Sequence, residues 1–234
     1  IPDRFNAATF FVDRHVAEGR VDNVAFVCEN RTVTYRQLQE LTNRVGNGLR
    51  DLGVEMEQRV LLLLLDSPEF GASFFGAIKI GAVPIPVNTM MRAQDYLYFL
   101  NDSRAKVLIV SEPLMAEARP ILGQARYLKQ LVVVGKAAGT EITFDRWVGN
   151  ASSTLEAADT SKDDPAFWLY SSGSTGFPKG AVHLQHDMVV CADTYALEVL
   201  GITERDRTFS AAKLFFAYGL GNNMYFPMRV GGQG

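Results

Sequence analysis

Apolar positions change their period several times along the chain. From Leu38 onward, Leu41, Val45, Leu49 and Leu52 recur at spacings of three and four, which predicts a helix with one buried stripe. Thr34 with Gln37 three residues later fits a capping box at its start, and Gly53 can close its end. Ahead of it, Val24–Val27 and Thr32–Tyr35 read as a short strand pair. The unbroken run Val60 to Leu65, between Arg59 and Asp66, has the length of a strand covered on both faces, as in a parallel sheet. Ser67-Pro68-Glu69 then starts a helix through about Ile80, because proline is tolerated in a first turn and the acid complements the positive helix end. Ala82–Val87 is extended, Ala93–Asn101 helical, and Lys106–Val110 and Leu131–Val134 are further strands. Strands alternating with helices predict a doubly wound α/β architecture of layered sheets with flanking helices.

Between Gly135 and Asp164 the periodicity weakens, and an irregular connection between two subdomains is expected, residues 1–160 and residues 161–234. After it, Ala166–Tyr170 reads as a strand, Ala181–Leu184 as a return strand, and Gln185–Leu200 as a helix ending at Gly201. No internal repeat or low-complexity tract is present.

Composition narrows the function classes. The chain has 234 residues, 47% of them hydrophobic and 21% charged, with a net charge of −3 and a pI near 5.7. Those are values of a folded globular protein, with no general attraction for nucleic acid. No apolar run is long enough to cross a bilayer and no signal-peptide core is present, so a cytoplasmic location is expected. Cys28 and Cys191 have no partner at metal-ligand spacing and are expected to be buried thiols. His183 and His186 lack the acid and nucleophile of a hydrolase triad, and His183 reads as a strand-end packing residue. Asp163-Asp164, followed by Pro165, reads as a solvated turn. No metal-ligand set is assigned.

The chemistry-bearing segment is Ser171-Ser172-Gly173-Ser174-Thr175-Gly176-Phe177-Pro178-Lys179-Gly180. Glycines let a backbone approach a ligand, hydroxyls donate to oxyanions, successive N–H groups form an anion-binding nest, and lysine adds a mobile positive charge. A surface turn can share this composition. The strand before it, and the lysine behind a stiffening Pro178, favour a polyphosphate cradle. It is not a Walker A loop, because Lys179 lies between Pro178 and Gly180 and a strand follows, and it lacks the dinucleotide Gly-x-Gly-x-x-Gly pattern.

The string instead resembles the signature of the adenylate-forming superfamily of acyl-CoA ligases, luciferases and peptide-synthetase adenylation domains. Val33-Thr34-Tyr35-Arg36-Gln37-Leu38 and Ala77-Ile-Lys-Ile-Gly-Ala-Val-Pro-Ile-Pro-Val-Asn88 are similar to two scaffold motifs of that family. Lys213-Leu-Phe-Phe-Ala-Tyr-Gly-Leu-Gly-Asn222 resembles benzoate:CoA ligases and their hydroxybenzoate relatives, with Phe216 where many members of the wider family have histidine.

The resemblance implies that a carboxylate attacks the α-phosphate of ATP, that pyrophosphate leaves, and that the thiol of CoA then displaces AMP. It implies Ser171, Ser172, Ser174, Thr175 and Lys179 as phosphate donors, with Gly173, Gly176 and Gly180 allowing close approach and Pro178 stiffening the loop. Lys179 would assist without being the main catalytic lysine. Phe215, Phe216, Ala217, Tyr218 and Gly219 would bind a flat aromatic acid, although a plain core aromatic cluster fits the same residues. ATP, Mg²⁺ and CoA are the implied cofactors and co-substrates, and a homodimer is left open. The family's Mg²⁺-associated acid, ribose-binding aspartate and lysine-bearing small C-terminal domain have no counterpart in the sequence. The chain is therefore expected to be an N-terminal portion of a larger enzyme, inactive alone. Two alternatives stay open: another acyl-CoA synthetase or peptide-synthetase-type adenylation domain, and a non-catalytic nucleotide-binding fragment.

Overall fold

The structure, a computed structural model, describes residues 1–171 and 176–234. The chain starts with a helical segment ending in α1 (Arg14–Ala17) and then forms an antiparallel pair, β1 (Val24–Cys28) and β2 (Arg31–Thr34). Helix α2 (Tyr35–Asp51) begins on the expected capping box: Gln37 N–H donates to Thr34 Oγ1 at 3.3 Å, and Thr34 N–H donates to Gln37 Oε1 at 2.9 Å. Beyond its end Gly53 adopts φ +77°, as a C-terminal glycine should.

A parallel sheet follows from the apolar runs. Its strands are β3 (Arg59–Leu63), β4 (Val83–Pro86), β5 (Val107–Ser111), β6 (Gln130–Val134) and β7 (Ile142–Thr143), in the order β4-β3-β5-β6-β7. Between them lie α3 (Pro68–Lys79), α4 (Ala93–Ser103), α5 (Met115–Ala118) and, after β7, α6 (Phe144–Asn150). Both faces of the sheet are covered, so alternate residues of one strand enter different cores. Val60 and Leu62 pack with Leu38 and Val45 of α2 and with Phe74 and Ile78 of α3. Leu61 and Leu63 pack with Tyr96, Phe99 and Leu100 of α4. This is why Val60–Leu65 reads as a continuous apolar run instead of an alternation.

Helices α2 and α3 come close because glycine lies between them: a Cβ on Gly76 would sit 2.8 Å from Val45 Cγ1 and 2.9 Å from the Thr42 carbonyl oxygen. At the end of α3, the buried Lys79 ammonium donates to Asp13 at 2.8 Å and to Asn43 Oδ1 at 2.6 Å. The charge is thereby paired and hydrogen-bonded, the condition under which burial is tolerated.

The remaining elements are the hairpin β8 (Pro165–Ser171) and β9 (Lys179–Leu184), then α7 (Asp187–Cys191), α8 (Ala217–Leu220) and α9 (Phe226–Val230). Three expectations need correction. The stretch 135–164 is not wholly irregular, since β7 and α6 lie in it. The helix expected over Gln185–Leu200 is α-helical only in α7 and continues as a wider π-type segment, Ala192–Leu197. The cysteines are not buried: Cys28 is half-buried and Cys191 exposed, because α7 turns Val190 and Cys191 outward while Met188 and Val189 face the core.

Candidate active site

Hairpin β8–β9 presents the glycine- and hydroxyl-rich loop. Its ladder runs from Phe167↔His183 to Tyr170↔Gly180 and closes at Ser171↔Lys179. Ser172, Gly173, Ser174 and Thr175 lie outside the described residues. At the rim, Ser171, Gly176, Phe177, Lys179 and Gly180 are exposed and Pro178 is half-buried, so the hydroxyl of Ser171 and the Lys179 ammonium are open to a ligand. Gly176 takes φ +111°, a conformation that side-chain-bearing residues rarely adopt.

Both limbs of the loop touch α4. The Tyr98 hydroxyl donates to the Pro178 carbonyl at 2.9 Å, and the Tyr98 ring stacks on Phe177 with centroids 5.1 Å apart and planes 20° apart. Four residues on, the Asp102 carboxylate accepts from the Tyr170 hydroxyl at 2.6 Å. Burial, then the bond to Asp102 and its negative charge, push the Tyr170 phenol well above the ordinary tyrosine range, so the proton stays on tyrosine. Tyr98 and Asp102 carry no motif of their own and were not singled out in the sequence.

Below the loop, the same hairpin forms one wall of an apolar cleft of about 560 Å³. Phe167, Leu169 and His183 come from the hairpin, Met188 and Cys191 from α7, and Ala217 and Tyr218 from the start of α8. His183 packs as expected of a strand residue, its ring parallel to Phe167 at 4.5 Å between centroids, with Nδ1 3.4 Å from Asp187. His186 is held by Nδ1 2.8 Å from the Lys162 carbonyl.

The aromatic segment 215–219 is divided by the fold. Ala217 and Tyr218 face the cleft, whereas Phe215 is buried beside Phe216, centroids 4.4 Å apart, and neither ring lines it. Gly219 is buried for a backbone reason: a Cβ there would lie 2.5 Å from the Ala212 carbonyl and still closer to that of Lys213. The turn is also pinned to the carboxyl end of β3, where Asp66 accepts from Leu214 N–H at 3.0 Å and lies 3.6 Å from the Lys213 ammonium. Among the described residues, no group of three or more His, Cys, Asp or Glu side chains is placed to hold a metal ion. Among the described residues, no helix is long and apolar enough to cross a membrane. The arrangement pairs a hydroxyl- and lysine-bearing rim, suited to a polyanion, with an apolar slot suited to a ring.

Known proteins resemble this chain over nearly its whole length. The sequence profile described as AMP-binding enzyme matches residues 13–234. A benzoate–CoA ligase of Thauera aromatica is 46% identical over 232 residues, which is 99% of this chain and 44% of that protein. A 4-hydroxybenzoate–CoA/benzoate–CoA ligase of Rhodopseudomonas palustris is 40% identical over 97% of this chain and 42% of its own length. The crystal structure of the anthranilate CoA ligase AuaEII in complex with anthranoyl-AMP superimposes with a TM-score of 0.96 at 38% identity, covering 100% of this chain and 45% of that one. The chain thus spans less than half the length of the relatives it matches. With the doubly wound sheet, the hairpin-borne loop and a profile match across residues 13–234, the chain belongs to the AMP-binding enzyme family.

Proposed function

We propose that the enzyme built on this chain activates an aromatic carboxylic acid, of the benzoate or hydroxybenzoate type, with ATP and passes the acyl group to CoA. The observation that carries this reading is that one hairpin bears both the phosphate-type loop and a wall of the apolar cleft. An acid bound in the cleft therefore has its carboxylate near the rim where a nucleotide's phosphates would lie. The relatives, which act on benzoate, hydroxybenzoate and anthranilate, support the substrate class.

On this reading a carboxylate oxygen attacks the α-phosphorus, the bond to the β-phosphate oxygen breaks, and pyrophosphate leaves with the electron pair. The thiol sulfur of CoA then attacks the acyl carbon and AMP departs. The chain's work is orientation and charge neutralisation. Ser171, Ser172, Ser174 and Thr175 donate to the β- and γ-phosphates, Gly173, Gly176 and Gly180 admit them, and Lys179 neutralises charge on departing pyrophosphate. Ala217 and Tyr218 flank the ring, while Phe215, Phe216 and Gly219 shape the turn that carries them. Mg²⁺ would accompany ATP and offset part of the charge of its phosphates. Residues 161–234 then hold the ligand-binding groups and residues 1–160 the sheet that supports them, in an enzyme of the cytoplasm, where ATP and CoA are available.

The test is AMP and thioester formation by the complete gene product with a panel of acids. Benzoate or a hydroxybenzoate should give the highest kcat/KM, and Lys179→Ala should lower it roughly 10- to 100-fold through loss of one charge-assisted contact. Preference for acetate or long fatty acids, or full activity in Lys179→Ala, would count against the respective assignments.

A further inference from the structure

We propose that Tyr98 and Asp102, one helical turn apart on α4, are positioning residues that fix the two limbs of the phosphate-binding loop; this rests on the reading of that loop as the ATP site. The last ladder pair of the hairpin is Ser171↔Lys179, and the contacts to α4 take over around it. On the incoming limb Tyr170 is tied to Asp102 by a charge-assisted bond of 2.6 Å, and its ring packs on Phe99 at 4.5 Å. On the outgoing limb Pro178 accepts the Tyr98 hydroxyl, and Phe177, 71% exposed, has its ring laid on Tyr98.

An exposed phenyl ring stacked on a tyrosine that also hydrogen-bonds the next residue's backbone is a two-point grip. The helix supplying it is anchored by Tyr96, Phe99 and Leu100, each about 1% exposed, against β3 and β5. The sheet thus transmits its rigidity through α4 to Tyr170 on one limb and to Phe177 and Pro178 on the other, so that less binding energy is spent on holding the limbs in place. Residues four apart on a helix share a face, so both limbs can be reached at once. In this arrangement α4 sets the separation and direction of the limbs, and with them the site of the phosphates.

The grip is tested in the complete gene product by steady-state kinetics and by tryptic cleavage after Lys179 without nucleotide. Tyr98→Ala should raise the KM for ATP roughly 5- to 20-fold, the combined loss of a hydrogen bond and a ring stack, with the KM for the acid unchanged. Tyr98→Phe keeps the stack and should give an increase of about threefold. Asp102→Asn keeps an acceptor for Tyr170 and should stay closer to wild type than Asp102→Ala. Cleavage after Lys179 should accelerate in Tyr98→Ala and recover in large part in Tyr98→Phe, at equal thermal midpoints for the phenylalanine variant and wild type. An unchanged ATP KM in Tyr98→Ala, or equal rises for ATP and acid, overturns the proposal. Faster cleavage in Tyr98→Ala from a protein that forms no acyl-adenylate would uphold the grip and sink the proposed function, whereas adenylate formation with unaltered cleavage and KM would do the reverse.

Discussion

His15 is fully buried and must satisfy two ring nitrogens without water. Nε2 lies 2.6 Å from the Met228 carbonyl and Nδ1 3.2 Å from an Arg20 guanidinium nitrogen. Since guanidinium only donates, Nδ1 is the acceptor and the proton sits on Nε2, donating to Met228. Burial, with the positive charges of Arg14 and Arg20 adding to it, lowers the pKa of His15 to about 4 from an ordinary 6.5. The native state therefore binds fewer protons than the unfolded chain between those values. Stability is unpenalised above about pH 6.5 and falls as the pH drops toward 4, by about 3 kcal/mol at one pKa unit per 1.36 kcal/mol. Urea midpoints measured from pH 4 to 7.5 should show this loss in wild type, and the slope should flatten in His15→Gln, whose amide can donate and accept but does not titrate there. Equal slopes in the two proteins would assign the pH dependence elsewhere.

At the scale of elements, the start of α2 offers a direct measurement. Thr34→Ala removes the acceptor for Gln37 N–H and should destabilise the fold by about 1 kcal/mol, while Thr34→Ser should retain most of the wild-type urea midpoint. Equal losses in both would mean that the methyl group, not the hydroxyl, matters. That cap was legible in the sequence because its two residues are three apart and precede a clean helical stripe. The strands β3 to β6 were legible because burial on both faces leaves continuous apolar runs. What failed did so for want of length or contrast. Strand β7 is only Ile142–Thr143, and α6 spans Phe144–Asn150, both too short to establish a period. The passage from α to π hydrogen bonding near Ala192 changes the ladder without changing composition. Within the candidate site, the loop announces itself by its glycines and hydroxyls. Its supports do not, because Tyr98 and Asp102 look like ordinary residues of an amphipathic helix some seventy positions upstream. The segment Phe215–Gly219 reads in the sequence as a binder of a flat acid, yet nothing in that string reveals that, of these five residues, only Ala217 and Tyr218 turn toward the cleft.

The whole molecule is bound together by contacts between its first and last residues. Phe11 packs at 6.1 Å from the Tyr225 ring, and both belong to the core that includes Phe26, Phe74, Phe167 and Met228. Gly234 N–H donates to the Ala25 carbonyl, and Val27 N–H donates to the Gly234 carbonyl, each at 3.0 Å, so the residues around Gly234 run beside β1. The Tyr35 hydroxyl donates to the Gly232 carbonyl at 2.8 Å, and Ala7 N–H donates to Gln185 Oε1 at 2.8 Å. Exposing one side of such a core strips the other of its packing partners, so residues 1–160 and 161–234 are expected to unfold in one cooperative transition. The two tryptophans make this measurable, because Trp147 lies on α6 in the first part and Trp168 on β8 in the second. In Trp168→Phe and Trp147→Phe variants, fluorescence reports one part at a time, while far-ultraviolet circular dichroism reports the whole. Within each variant the fluorescence and dichroism midpoints in urea should coincide, even where the substitution itself shifts stability. A fluorescence midpoint that departs from the dichroism midpoint of the same variant would mean that the shared core does not couple the two parts, and that the hairpin with its loop can open while the parallel sheet stays folded.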